Sequence, residues 1–276
     1  PDDCVLFVTS LGFDLSVFDV FGVLGCGGKI HIASDSQRRD VAFLARTLCE
    51  QEITFWDSAP AALQLLVPHL KAQPRPVKNS RLRQVFLSGD WIPVSLPDDI
   101  REVFPQAQIM SLGGATEATV WSNYFPVNRV EPNWRSIPYG WPIQNSRYYI
   151  LDSRNEVCPP GVTGDLYIAG DCLSTGYLNE PELTRQSFVP DPFSGSGGRM
   201  YRTGDLARYF PDGTIEFLGR SDFQVKVRGY RIELGEIEQV LRQHADIKEA
   251  VVAVRQDSAG VQKLVAYLMP RADRMP

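Results

Sequence analysis

The sequence predicts an α/β fold: a parallel-sheet layer, then a β-rich layer, then a small α+β C-terminal part. Three observations carry the prediction. Strand-like and helix-like segments alternate through residues 1–125, the pattern of a largely parallel sheet with helices on its faces. After about residue 125, short strand-like runs separated by Pro and Gly turns replace that alternation. Near the C-terminus an amphipathic helical stretch precedes two more strand-like runs. The 276 residues suffice for one to two domains. With 43% apolar and 11% aromatic residues the chain can bury a core, which excludes wholesale disorder.

Residues 5–8 read as a short buried strand, and residues 13–24, apolar with two acids, as a helical turn. Residues 29–32 are a strand introduced by Gly27 and Gly28. Val41, Leu44, Ala45 and Leu48 fall at helical spacing behind Asp40, a suitable N-cap. Residues 53–56 return to strand and 61–70 to helix. Residues 83–87 form a strand entering Ser88-Gly89-Asp90, and 107–112 a strand entering Gly113-Gly114-Ala115-Thr116-Glu117. In parallel sheets ligands bind beyond the carboxyl ends of strands, where both glycine-containing loops sit. Residues 147–151, 164–170 and 213–218 are the strands of the β-rich layer. Residues 233–244 predict an amphipathic helix with Leu234, Ile237, Val240 and Leu241 inward, and 251–254 and 264–268 predict strands around a polar loop. The expected division is 1–221, comprising an α/β layer (1–125) and a β-rich layer (126–221), and then 222–276.

The 28 Lys and Arg against 33 Asp and Glu give a net charge of -5. No basic excess is present to displace counterions, which argues against a general nucleic-acid binder and leaves only a local basic patch open. No apolar run reaches 18 residues, so no membrane span is expected. The start of the chain lacks a signal-peptide pattern and an initiator Met, and a piece of a longer protein is expected. Five cysteines, an odd number without a CxxC, support neither a zinc site nor a disulfide framework and suit a reducing cytoplasm. His31, His69 and His244 are too scattered to suggest a ligand set.

Three segments carry candidate chemistry. Gly113 to Glu117 offers backbone N–H groups and a Thr hydroxyl for phosphate and a carboxylate for Mg2+; a plain glycine turn with an N-capping Thr reads the same. Tyr201-Arg202-Thr203-Gly204-Asp205 places an acid where it can accept both ribose hydroxyls, or it is a solvated turn. Residues 219–238 are dense in charge, either a salt-bridged face or a phosphate-facing segment.

Together and in this order, these segments resemble the amino-acid adenylation domain of a nonribosomal peptide synthetase, within the adenylate-forming (acyl-CoA ligase, luciferase-like) superfamily. The matching stretches are Gly12-Phe13-Asp14-Leu15-Ser16, Gly113 to Glu117, Gly164 to Leu178, Tyr201 to Leu206, and GRSDFQVKVRGYRIELGEIE from Gly219 to Glu238. The resemblance implies a ligase that uses ATP and Mg2+ to make an aminoacyl-adenylate and passes the acyl group to a carrier-protein phosphopantetheine. It implies that Asp14 holds the substrate ammonium, a charge-assisted pair, and that Thr116 touches the α-phosphate. Glu117 is then the Mg2+ ligand, Asp205 the ribose ligand and Phe217 an aromatic on the nucleotide. Arg220 would contact ribose or phosphate, and Gly113 and Gly114 would line the nucleotide site. Asp222 is then the hinge of a small C-terminal subdomain, and Gly229 borders the pantetheine tunnel of the thioester-forming state.

By the same resemblance the amino-acid pocket is lined by Asp14, Leu15, Phe18, Asp57, Phe86, Ser88, Leu112, Val120 and Trp121. The lining is similar to that of cysteine-activating domains, except that Asp57 stands where those carry Asn. A carboxylate accepts from a hydroxyl or thiol and cannot donate, so cysteine, serine or α-methylserine is expected. The SLGGATEA loop resembles domains beside heterocyclisation domains, so a heterocyclisation or condensation domain is an expected neighbour. It also lacks the tyrosine common in the family's loop, which in the family is an aromatic contact to adenine. The family's Ser/Thr/Gly/Lys-rich phosphate loop and its C-terminal lysine segment are not among these residues, and the piece alone is expected to be nearly inactive. The alternatives are an acyl- or aryl-acid-CoA ligase, which has no ammonium for Asp14 to hold, and a catalytically incomplete interaction module.

Overall fold

The structure is a computed structural model that describes residues 1–73, 80–195, 197–222, 224–227, 230–256 and 262–271. It divides into two compact units, Pro1–Gly219 and Arg220–Pro276; the sequence places the division at Asp222.

In the first unit, β1 (Cys4–Phe7) leads into a helical run made of α1 (Leu15–Val17), a π-helical turn (Phe18–Gly22) and α2 (Val23–Gly25). There follow β2 (Lys29–Ile32), α3 (Val41–Glu50), β3 (Phe55–Ser58), α4 (Pro60–Lys71), β4 (Gln84–Leu87), α5 (Leu96–Val103), β5 (Gln108–Gly113), β6 (Asn123–Pro126) and β7 (Trp141–Pro142). These strands form one sheet in the order β2-β1-β3-β4-β5-β6-β7. The first five are parallel, and β6 and β7 add antiparallel. Asp40 caps α3 as expected, accepting from the N–H groups of Ala42 and Phe43. The core lies between this sheet and α3, α4 and α5, and includes fully buried Leu6, Leu48, Trp56, Leu63, Leu66 and Ile100.

From β1 the chain runs out to β2 and then back across β1 to β3. Such a reversal opens a crevice at the strands' carboxyl ends. Asp14 follows β1, and Asp57 lies at the end of β3.

A second, five-stranded sheet holds β8 (Ser146–Leu151), β9 (Gly164–Gly170), β10 (Phe188–Pro190), β11 (Arg199–Tyr209) and β12 (Ile215–Arg220), with α6 (Pro181–Ser187) before β10. The stretch read from sequence as a turn at Asp205 instead lies inside the eleven-residue β11. The acid owes its position to an irregularity of strand register between Arg202 and Leu206, where Gly204 has φ +77°.

In the second unit β13 (Gln224–Val227) pairs with β14 (Tyr230–Glu233), and α7 (Leu234–Arg242) precedes the hairpin of β15 (Ile247–Gln256) and β16 (Gln262–Pro270). Val240, expected inward, is 65% exposed. The sequence also gave no sign of α5, whose Pro97-Asp98-Asp99 start hides the apolar spacing Leu96, Ile100, Phe104. Among the described residues no helix is long and apolar enough to cross a membrane.

Candidate functional site

The end of the crevice nearest β1 and β3 is aromatic and acidic. Phe18, at the head of the π-helical turn, lies 4.8 Å from Trp121, 5.7 Å from Phe86 and 5.8 Å from Phe55 between ring centroids. Phe86 is edge-on to Trp121 at 5.5 Å, and Trp121 Nε1 donates to Ser88 Oγ at 3.1 Å. Four of the residues expected to line a pocket, Phe18, Phe86, Ser88 and Trp121, are thus one contact group. Asp57 is Phe86's register partner across β3 and β4. Leu15 is buried at the start of α1, and Leu112 near the end of β5. Val120 follows Thr119 into the left-handed region, at φ +61° after +59°. A β-branched residue there is strained backbone of the kind that clusters at ligand sites.

Asp57 is fully buried, and neither of its carboxyl oxygens meets a hydrogen-bond partner. Burial, then the charges of Asp19 and Asp14, push it well above the usual carboxylate range. An ionised Asp57 would only accept, as the sequence reading has it, whereas a carboxyl that keeps its proton both donates and accepts. Asp19 was missed from sequence. It too is fully buried without a partner for either oxygen, and burial pushes it up to about 7. The legible signal was an acid inside the apolar run Val17-Phe18-Asp19-Val20-Phe21.

Thr116 and Glu117 lie on the short 3-10 turn Thr116–Ala118 that follows β5. Thr116 Oγ1 donates to Asp14 Oδ2 at 2.5 Å, joining residues 102 apart in sequence. Gly114 gives the turn its approach: a Cβ there would sit 2.7 Å from the Val120 carbonyl, and φ is +156°. Glu117 is buried, and Tyr177 O–H donates to its Oε1 at 2.7 Å. Its backbone carbonyl accepts from Ser174 N–H at 2.8 Å. Tyr177, in a stretch matched by resemblance but given no role, therefore positions the carboxylate. Among the described residues no group of three His, Cys, Asp or Glu could cage a metal. A single carboxylate such as that of Glu117 suits Mg2+, which takes one or two protein carboxylates together with substrate phosphates and water.

At the β12 side, Phe217 is edge-on to Trp91 at 5.1 Å and stacked on Tyr139 at 5.9 Å. Tyr139 is edge-on to Tyr148 at 6.0 Å. Asp205 is buried, its N–H donating to Thr203 Oγ1 at 3.0 Å, and its charge reaches both Tyr139 and Tyr148. An acid and aromatic plates are brought together here, the elements of a nucleoside site.

In the second unit, Arg220 donates from Nε and Nη2 to the two oxygens of Asp222 at 2.7 and 2.6 Å. Burial raises Asp222, but the hydrogen bonds and charge of Arg220, then Gln224 N–H and Arg231, outweigh it and hold the acid below its ordinary value. The guanidinium expected on nucleotide thus rests on Asp222. Gly229 lies outside the described residues.

Residues 1–178 match the family of AMP-binding enzymes. The chain is 43% identical over 267 residues to bacitracin synthase 1 of Bacillus licheniformis, covering 97% of this chain and 5% of that protein. It is 46% identical over 272 residues to pyochelin synthetase PchE of Pseudomonas aeruginosa, covering 98% of this chain and 18% of that one. Among solved structures, holo-PA1221, a nonribosomal peptide synthetase (NRPS) protein with adenylation and PCP domains, matches with TM-score 0.88 and 30% identity, covering 100% of this chain and 47% of that one. The α-methyl-L-serine-AMP bound form of the nonribosomal peptide synthetase FmoA3 matches with TM-score 0.75 and 41% identity, over 86% of this chain and 26% of that one. The fold is therefore that of the adenylate-forming enzymes. The chain belongs to the AMP-binding enzyme family, with synthetase adenylation domains as its relatives. It spans only a small part of the length of those curated relatives.

Proposed function

We propose that the protein bearing this chain activates a small amino acid with ATP and transfers it to a carrier-protein thiol in nonribosomal peptide synthesis. The observation that carries the reading is the 2.5 Å contact from Thr116 to Asp14. It joins the carboxylate suited to a substrate ammonium to the turn suited to a phosphate, so amino acid and nucleotide would meet where the reaction needs them.

In the proposed reaction the substrate carboxylate attacks the α-phosphorus in line. The acyl–phosphate bond forms and pyrophosphate leaves. The phosphopantetheine thiol, having lost its proton, then attacks the carbonyl and AMP leaves. Asp14 fixes the ammonium, Thr116 the phosphate and Asp205 the ribose, while the Phe18, Phe86 and Trp121 rings bound a small side-chain chamber. Glu117, held by Tyr177, is the residue that would bind Mg2+, which when bound neutralises phosphate charge. Hydrogen bonding by Asp57 suits a hydroxyl or thiol, and cysteine, serine and α-methylserine remain the substrates of choice. The FmoA3 structure with its α-methyl-L-serine-AMP supports that class, and the adenylation–PCP proteins among the neighbours support the carrier partner. A heterocyclisation or condensation domain beside it, and a reducing cytoplasm for five free thiols, complete the proposal.

The test is ATP–pyrophosphate exchange by the full-length protein with cysteine, serine, α-methylserine and threonine, against their des-amino acids. Exchange that requires the α-amino group is expected. Equal exchange with the des-amino acids overturns the reading in favour of an acyl-CoA ligase.

A further inference from the structure

Gly113 ends β5 with no side chain, yet the space beside it is filled. A Cβ built on Gly113 would overlap the Tyr139 ring at Cε2 and Cζ and lie 2.9 Å from Asn123 Nδ2. The two positions are interlocked: no residue larger than Gly fits at 113 while Tyr139 holds its place. Tyr139 is itself fixed from several sides. Its N–H donates to the Ile215 carbonyl at 2.8 Å, and the following Gly140, at φ +88°, bridges to Ile215. Its ring stacks on Phe217 at 5.9 Å and 29° and meets Tyr148 edge-on. Its hydroxyl joins the Asn123 and Tyr148 hydrogen bonds, and Asp205 lies near enough for its charge to act on it. Tyr139 nevertheless keeps part of its surface open. An aromatic ring set between a bare backbone, a second ring and a carboxylate, on a residue only partly buried, is an arrangement that can take a nucleobase by stacking while the acid takes the sugar.

We propose that Tyr139 is the nucleobase platform of this site, occupying from β12's side the space that a side chain at position 113 would otherwise fill. The proposal rests on the nucleotide reading above and deepens it with a binding residue from outside the Thr116 loop. It also accounts for the glycine. With the platform delivered from position 139, position 113 has to be empty.

The experiment measures, by calorimetry on the full-length protein, the affinity for AMP and for ribose 5-phosphate. Their ratio isolates the base. Tyr139→Leu, which keeps bulk without a π-face, is expected to lower the ratio roughly tenfold while leaving ribose 5-phosphate affinity in place. Tyr139→Phe is expected to keep most of it. Gly113→Tyr alone is expected to lower the ratio by displacing Tyr139, and Gly113→Tyr with Tyr139→Ala to raise it above that of Tyr139→Ala alone, because the ring then stands at position 113. A ratio unchanged in Tyr139→Leu overturns the proposal. A double variant no better than Tyr139→Ala overturns the exchange of positions. A wild-type protein that binds neither ligand overturns the nucleotide reading and this proposal with it, whereas binding both equally overturns only the platform.

Discussion

Replacing Asp19 with Asn should make the first unit more stable above neutral pH and flatten its pH dependence. Asp19 is fully buried, with no partner for either oxygen. Burial lifts it from 3.8 to about 7. In the unfolded chain the carboxyl loses its proton near 3.8, and in the folded chain it keeps it to about 7. Between those values the folded state holds more protons than the unfolded one, so stability falls as pH rises, and above 7 the loss is complete. Three units at about 1.36 kcal/mol each give a cost of about 4 kcal/mol at pH 8 and almost none at pH 4. Asn has no proton to lose, so Asp19→Asn should match wild type near pH 4 and exceed it increasingly towards pH 8. At roughly 2–4 °C per kcal/mol the gain is on the order of 10 °C. Thermal unfolding of the full-length protein from pH 4 to 8.5, followed by tryptophan fluorescence, reads it. Parallel curves for the two proteins across that range would refute the reasoning.

Asp14→Ala should abolish amino-acid-dependent pyrophosphate exchange, by about a hundredfold or more as a charge-assisted bond is lost, while ATP binding measured by calorimetry persists; unchanged exchange would remove Asp14 from the site. Tyr177→Phe deletes the donor to Glu117 and should lower exchange about tenfold and raise the Mg2+ concentration for half-maximal rate, whereas an unchanged Mg2+ dependence would show that Tyr177 does not position the acid. Asp222→Pro fixes φ and removes the partner of Arg220, so adenylation and thioester formation, assayed separately, should be affected unequally. If both half-reactions survive alike, Asp222 is not a hinge.

Much of the first unit was legible because its signals are local. The alternation of segments, the Asp40 cap and the strands entering both glycine loops depend on neighbours within a few residues. Elements whose stabilising partners are remote were missed: α5, with its Pro-Asp-Asp start, and β6 and β7, held by pairing to β5. For the site, motif order marked Asp14, Thr116, Glu117 and Asp205. Nothing marked Tyr139, because its meaning depends on a glycine 26 residues earlier.

What the sequence determined by itself was the α/β class and the motifs that tie the chain to adenylating enzymes, since periodicity and short loops are written into adjacent residues. Only the tertiary structure decided that Asp14 meets Thr116, that Asp57 and Asp19 are buried without partners, and that Tyr139 fills the space over Gly113. Those facts follow from strand order and from crossovers of dozens of residues. Packing and desolvation act between groups that the crossovers bring together and that sequence proximity does not.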